Sequence, residues 1–247
     1  MAQTAELTEF LDELLTPDAF EDLGPNGLQV PAAREVERVV TGVTAQGALF
    51  DRAVEEAAQL VLVHHGLFWN FNPVGLTPLL AERLRALFKH DIALAAYHLP
   101  LDAHPVVGNN ALLAAALGAG EHVAFAGIGR GATFAGPVPA AELVARVAAA
   151  TGREPLVFDA GPPEVRRIAI VSGGAAGRLG QAVAEGYDAF LTGEPKENVM
   201  ADAREAGIHF IAAGHYATET FGVRRLGELL AERFGIEHVW VDLPNPV

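Results

Sequence analysis

Four apolar runs in this sequence end in side chains able to hold a cation. Leu60–Val63 runs into His64 and His65. ALAAYH brings small and aliphatic residues to His98, with Asp102 four residues later. FLTGE leads to Glu194, and IAAGH leads to His215, with Glu219 four residues later. Neutral imidazole and carboxylate suit zinc, iron, manganese, cobalt or nickel. The absence of cysteine excludes disulfides, iron–sulfur clusters and thiolate zinc sites. The set His64, His65, Asp102, His215 and Glu219 suffices for a pair of divalent ions with open positions for water, as catalytic sites keep. Adjacent strand residues face opposite ways. His64 and His65 therefore reach one site if the chain turns at Gly66, or if each serves a different ion. His98 reads as a neighbour that orients the ligands or carries a proton. His104 precedes Pro105 and reads as a loop residue. His90, His122, His209 and His238 lack an acidic partner at telling spacing. Glu194 and Glu197 flank a helix start, where acids suit the macrodipole in any case, so neither is given a ligand role.

The elements that must position these residues are readable from periodicity. Val36–Gly66 and Val165–Glu194 each show a β-branched run, a small-residue turn, a helical stretch and a short apolar strand stopping at polar residues. This is the strand–helix–strand pattern of a largely parallel sheet. Each is followed by a helix (Pro78 to Lys89, and Lys196 to Ala206) and by an apolar strand ending in histidine. The expected fold is α/β: two similar lobes from an internal duplication, with parallel or mixed sheets flanked by helices. The metal site is expected between lobes 1–122 and 123–247, which may exchange terminal elements. Ligands of open α/β sheets collect beyond the carboxyl ends of the strands, where these clusters fall. In the middle, GIGRGATFAGPVP predicts short β pieces, and PAAELVARVAAATG predicts a helix with Pro139 near its start and Gly152 past its end. No strand–helix–strand unit opens at Gly127–Gly131, so a dinucleotide loop is not expected there. HVWVDLPNP predicts a last strand, broken at Pro244.

Composition limits the partners. The chain has 247 residues, 51% hydrophobic and 19% charged, as in a compact folded protein. Its net charge of −14 repels phosphate backbones, so nucleic acid is an unlikely partner. Bound divalent cations would reverse that field locally for a small anion. The acidic N-terminus predicts an amphipathic helix and lacks the pattern of a secretory signal. No apolar run is long enough to span a bilayer, and the expected location is cytoplasmic.

Several segments together resemble the Ngg-one-interacting-factor-three-like family, often described as GTP cyclohydrolase type 2 or dinuclear metal-binding proteins, and its short bacterial YbgI subgroup in particular. They are NGLQV at Asn26–Val30, VTGVT at Val40–Thr44, LVLVHHGLFW at Leu60–Trp69, YHLPLDAHPVVGNNALLAAALG at Tyr97–Gly118, FLTGE at Phe190–Glu194 and AGHYATETFGVRRL at Ala213–Leu226. The resemblance covers nearly the whole chain. It implies a dinuclear metal centre between two α/β lobes, with ligands on His64, His65, Asp102, His215 and Glu219. It further implies a toroidal homohexamer built as a trimer of dimers. The middle inserted domain of longer members is absent or minimal here.

Two functions follow as expectations. The first is a metal-dependent hydrolase for a small, anionic substrate such as a nucleotide or other phosphoester, with GTP-cyclohydrolase-like chemistry as a special case. A pair of ions can acidify a water and hold an electrophilic oxygen, with His98 as a proton shuttle. The alternative is a non-enzymatic metal-binding ring, a scaffold or protein-interaction module whose ions stabilise the folded state by mass action.

Overall fold

The computed structural model describes residues 1–73 and 75–247. By its packing the chain divides into two compact units, Met1–Leu101 with Gly222–Leu243, and Asp102–Phe221 with Pro244–Val247. Compared with lobes drawn at residue 122, residues 102–122 belong to the second unit. The segment Gly222–Leu243 belongs to the first.

The first unit is built on a five-stranded sheet in the order Glu237–Trp240, Arg38–Thr44, Leu60–His65, Ala93–Ala96, Gly27–Val30. The first four run parallel, and Gly27–Val30 closes the edge antiparallel. The central strands are continuous apolar runs because a parallel sheet is covered on both faces. Val40, Val61, Val63 and Leu94 pack with Leu49, Phe50 and Leu87 from the helices Gly47–Glu55 and Pro78–Lys89. Gly42 lets the helix approach: a Cβ there would lie 2.8 Å from Leu49 Cδ1. Helix Pro78–Lys89 starts where the sequence says it should. Thr77 Oγ1 accepts a hydrogen bond from the Leu80 amide at 3.2 Å, and Pro78 occupies the first turn. The register Val39↔Leu60↔Ala93 and Gly42↔Val63↔Ala96 carries the strand ends to one edge. There the chain delivers His64, His65, Tyr97 and His98.

The second unit has a six-stranded mixed sheet in the order Glu121–Phe125, Gly129–Pro139, Glu164–Val171, Ala189–Thr192, His209–Ala212, Leu156–Phe158. Its centre is parallel, in the register Ile168↔Ala189↔His209 and Val171↔Thr192↔Ala212, and both flanks are antiparallel. One face packs Ile168, Ile170, Leu191 and Ile211 against Leu113, Leu143 and Val147. The other packs Phe190 and Phe210 with Leu179, Val199 and Ala203. The helix Ala140–Thr151 follows Pro139 and ends on Gly152 at φ 67°, as its flanking residues predict. Two local expectations change. The glycine-rich stretch forms one long strand, Gly129–Pro139, in a hairpin with Glu121–Phe125, because its glycines leave a backbone that can pair on both sides. The helix expected from Lys196 begins at Val199. Each unit thus contains a β-α-β-α-β core of mixed α/β architecture. Among the described residues no helix is long and apolar enough to cross a membrane.

Candidate metal centre

In the first unit His64, His65 and His98 converge. One ring nitrogen from each lies within 4.8 Å of the others, and the ring centroids are 4.6, 5.1 and 5.5 Å apart. The strand runs through both His64 and His65 and ends just before Gly66. The lack of a side chain at Gly66 serves packing. A Cβ would overlap the Gln29 amide, which is anchored on this backbone by Gln29 Oε1 accepting from the Leu67 amide at 2.8 Å.

The partners of His64 and His98 set the tautomers of those two rings. A carbonyl oxygen can only accept, so His64 Nδ1–H donates to Tyr97 O at 3.0 Å and the lone pair stays on Nε2. His65 Nδ1 meets the Thr44 hydroxyl at 3.3 Å. His98 Nδ1–H donates to Asp22 Oδ1 at 2.6 Å, a carboxylate–imidazole pair of the kind that orients metal ligands and proton carriers. Asp22 is itself held tightly. Oδ2 accepts from Asn26 Nδ2 and from the Leu99 amide, both at 2.9 Å, while Asn26 Oδ1 accepts from the His98 amide at 2.7 Å. Burial works to raise the Asp22 carboxyl, but His98, Asn26 and the Leu99 amide outweigh it and hold it down at about 2. Asp22 and Asn26 were not singled out as site residues. Asn26 lies within a recognisable motif, but no spacing rule connects Asp22 to a histidine 76 positions away.

In the second unit Asp102, His215 and Glu219 form an acidic counterpart. Asp102 and Glu219 are 3% and 2% exposed, close to full removal from water. Oxygens of the two carboxylates lie within 4.8 Å of each other, and His215 Nε2 stands 3.2 Å from Glu219 Oε1. Both acids follow helical turns: Asp102 sits in Leu99–Ala103, and Glu219 follows His215–Thr218. The spacing of four residues therefore reflects a turn of helix. Asp102 Oδ1 accepts from Asn109 Nδ2 at 2.8 Å and from the Ser172 hydroxyl at 3.0 Å. His215 Nδ1 pairs with Glu194 Oε1. Glu194, passed over as a helix-start acid, is thus the group that orients His215. Burial of the His215 ring disfavours its charge, but Glu219 and Glu194 reverse this and raise it to about 9. Gly173 makes room for the cluster: at φ 66° it occupies the left-handed region, and a Cβ would overlap Glu219 Oε1.

Both donor sets fit a divalent cation. Imidazole nitrogens with fixed tautomers, and buried carboxylates whose remaining lone pairs are steered by neutral donors, are ligands prepared in advance. Carboxylates buried to this degree are costly unless hydrogen bonds or a cation compensate their charge.

The family comparison agrees with the resemblance. A family model described as Duf34/NIF3 (NGG1p interacting factor 3) matches residues 2–246. The chain belongs to this family. This Duf34/NIF3 chain is similar to a GTP cyclohydrolase 1 type 2 homolog of Pseudomonas aeruginosa, at 49% identity over 97% of each chain. It is likewise similar to one of Escherichia coli K12, at 43% identity over 99% of each. Among solved structures it is similar to protein ybgI, at 42% identity, with TM-score 0.95 and full coverage of both chains.

Proposed function

We propose that this Duf34/NIF3 chain is a dinuclear metal-dependent hydrolase for a small anionic substrate, with His64, His65, Asp102, His215 and Glu219 as the metal ligands. The observation that carries this reading is the way the donors are held. The outward nitrogen of His64, His98 or His215 is turned to Tyr97 O, Asp22 or Glu194. Each ring is thereby held in one orientation, and His215 Nε2 faces Glu219 Oε1 at 3.2 Å.

Bound divalent ions supply Lewis acidity and a local positive field in an otherwise acidic protein. The chain's own residues do the rest. Asp102 is kept in place by Asn109 and Ser172, so its charge does not reorient as substrate arrives. His98, with Nδ1 on Asp22, takes or gives a proton at Nε2, and the Asp22 charge stabilises the imidazolium that forms. A nucleotide or other phosphoester is the favoured substrate class, in keeping with the cyclohydrolase name of the relatives. We further propose that copies assemble as a ring of three dimers in the cytoplasm. Exposed apolar side chains such as Phe88, at 57%, and Val106, at 68%, are consistent with self-association.

The test is metal analysis together with turnover. Protein purified without chelator should carry a pair of ions per chain by elemental analysis. Asp102→Asn should lose turnover of a phosphoester or nucleotide from a broad panel while remaining folded. If no member of the panel is hydrolysed, and chelation only lowers the thermal midpoint and dissociates the oligomer, the ions serve a scaffold and the hydrolase reading fails.

A further inference from the structure

Away from these donors, the second unit has an open cavity of about 530 Å³ beside its β-hairpin. Strand register builds its floor. Glu121 pairs with Thr133, and Thr133 pairs with Arg167, so the three side chains stand in a row across three strands on one face. Tyr187 closes the cavity from the turn after helix Leu179–Ala184. Its ring meets Phe125 edge to face at 5.4 Å, and the Arg167 guanidinium carbon lies 4.4 Å from its centroid.

Two side chains bear on what this cavity could hold. Tyr187 is 7% exposed as a residue, and its hydroxyl, without a protein hydrogen-bond partner among the described residues, still reaches solvent. The hydroxyl is directed at Gly131 on the cavity floor, where a Cβ would overlap it. Arg167 donates Nη1–H to Glu185 O at 2.8 Å and Gly186 O at 3.0 Å, both neutral carbonyls. No carboxylate pairs with its guanidinium among the described residues. In a chain of net charge −14 an arginine has many acids to choose from. This one has no acid beside it among the described residues; it caps the carboxyl end of helix Leu179–Ala184 and lines the cavity.

We propose that this cavity binds the oxyanion of a small molecule, a phosphate or carboxylate, on the Arg167 guanidinium and the Tyr187 hydroxyl. Thr133 supplies a further hydroxyl and His122 a further ring at the rim. Glu121, exposed at the far end of the row, repels a second negative group. The ligand therefore carries its anion at one end and is neutral or cationic at the other. The site is independent of the metal donors and of the hydrolase reading.

The experiment is titration of the protein with inorganic phosphate and, separately, with acetate, followed by the amide resonances of Gly131 and Thr133. Saturable shifts are expected there. Arg167→Gln should weaken binding about tenfold or more, because the charged hydrogen bonds are lost. Tyr187→Phe keeps the packing and removes only the hydroxyl, and should weaken it about threefold to tenfold. Glu121→Gln should tighten it about twofold by removing an exposed like charge. Arg178→Gln, elsewhere on the surface, should change nothing. Saturation by phosphate alone points to a phosphoester, by acetate alone to a carboxylic acid, and by both to a general oxyanion site. Shifts that do not saturate with either probe, or binding equal in Tyr187→Phe and the unaltered protein, would overturn the proposal.

Discussion

The two units carry the same parallel three-strand core but finish it with different chemistry. In the first, the strand ends supply imidazoles: His64, His65 and His98, turned by a carbonyl, a hydroxyl and a carboxylate. In the second they supply carboxylates, Asp102 beside Glu219, with the one imidazole, His215, between Glu219 and Glu194. Neutral rings suit borderline ions and add no charge of their own. Carboxylates add charge, but they also hold a proton on His215 that an incoming ion must displace. The same scaffold thus offers one donor set tuned by orientation and another tuned by charge.

The largest expected effect comes from removing a ligand on either side. His65→Ala and Glu219→Gln should each lower the metal content measured by elemental analysis. Each should reduce turnover by about a thousandfold or more if the ions act together on one substrate. If the two donor sets worked independently, the variants would leave different residual activities. Equal and near-complete losses are the expected result. Outer partners should matter less. Asp22→Asn and Glu194→Gln should weaken metal binding by about tenfold to a hundredfold, the usual cost of losing a group that orients a ligand.

Backbone comes next. Gly173→Ala should destabilise the second unit by about 2–3 kcal/mol in denaturant titration. It puts a side chain on a left-handed residue and pushes it into Glu219. Gly66→Ala in the first unit has ordinary backbone angles and meets the flexible Gln29 side chain. It should cost about 1 kcal/mol. A reversed order would mean that the first unit is the more tightly built around its donors.

Much of this could be read before any coordinates. The alternation of β-branched runs and helical stretches placed His64, His65, His98 and His215 at strand ends, because hydrophobic periodicity is a local signal. The helix Pro78–Lys89 announced itself through Thr77 and Pro78. What stayed hidden depends on contacts distant in sequence. Asp22 meets His98 and Glu194 meets His215 only after the sheets have formed, and an isolated acid carries no mark of such a partner. The division into units was hidden for the same reason. Strand Glu237–Trp240 pairs beside Arg38–Thr44, nearly the full chain length away. The long hairpin strand Gly129–Pro139 was obscured by its glycines, which read as breaks when taken one by one.

The smallest effect, and the one that separates the units most cleanly, is in the pH dependence of the metal-free protein. Asp22 in the first unit is held at about 2, below the ordinary 3.8. Its contribution is present above pH 3.8 and is lost as pH falls through about 2. His215 in the second unit is raised from 6.5 to about 9. Its contribution is fully present below pH 6.5 and is lost as pH rises through about 9. Each should be worth up to about 2 kcal/mol, the His215 figure reduced for its partly exposed ring. Denaturant midpoints measured after chelation should therefore fall on both sides of neutrality. Asp22→Asn should flatten only the acid limb, and Glu194→Gln only the alkaline one. Loading the protein with metal should abolish the alkaline limb, since a cation on His215 Nε2 takes the place of the proton. If the alkaline limb persisted with metal bound, His215 would be carrying its proton and not an ion, and the ligand set would have to be redrawn without it.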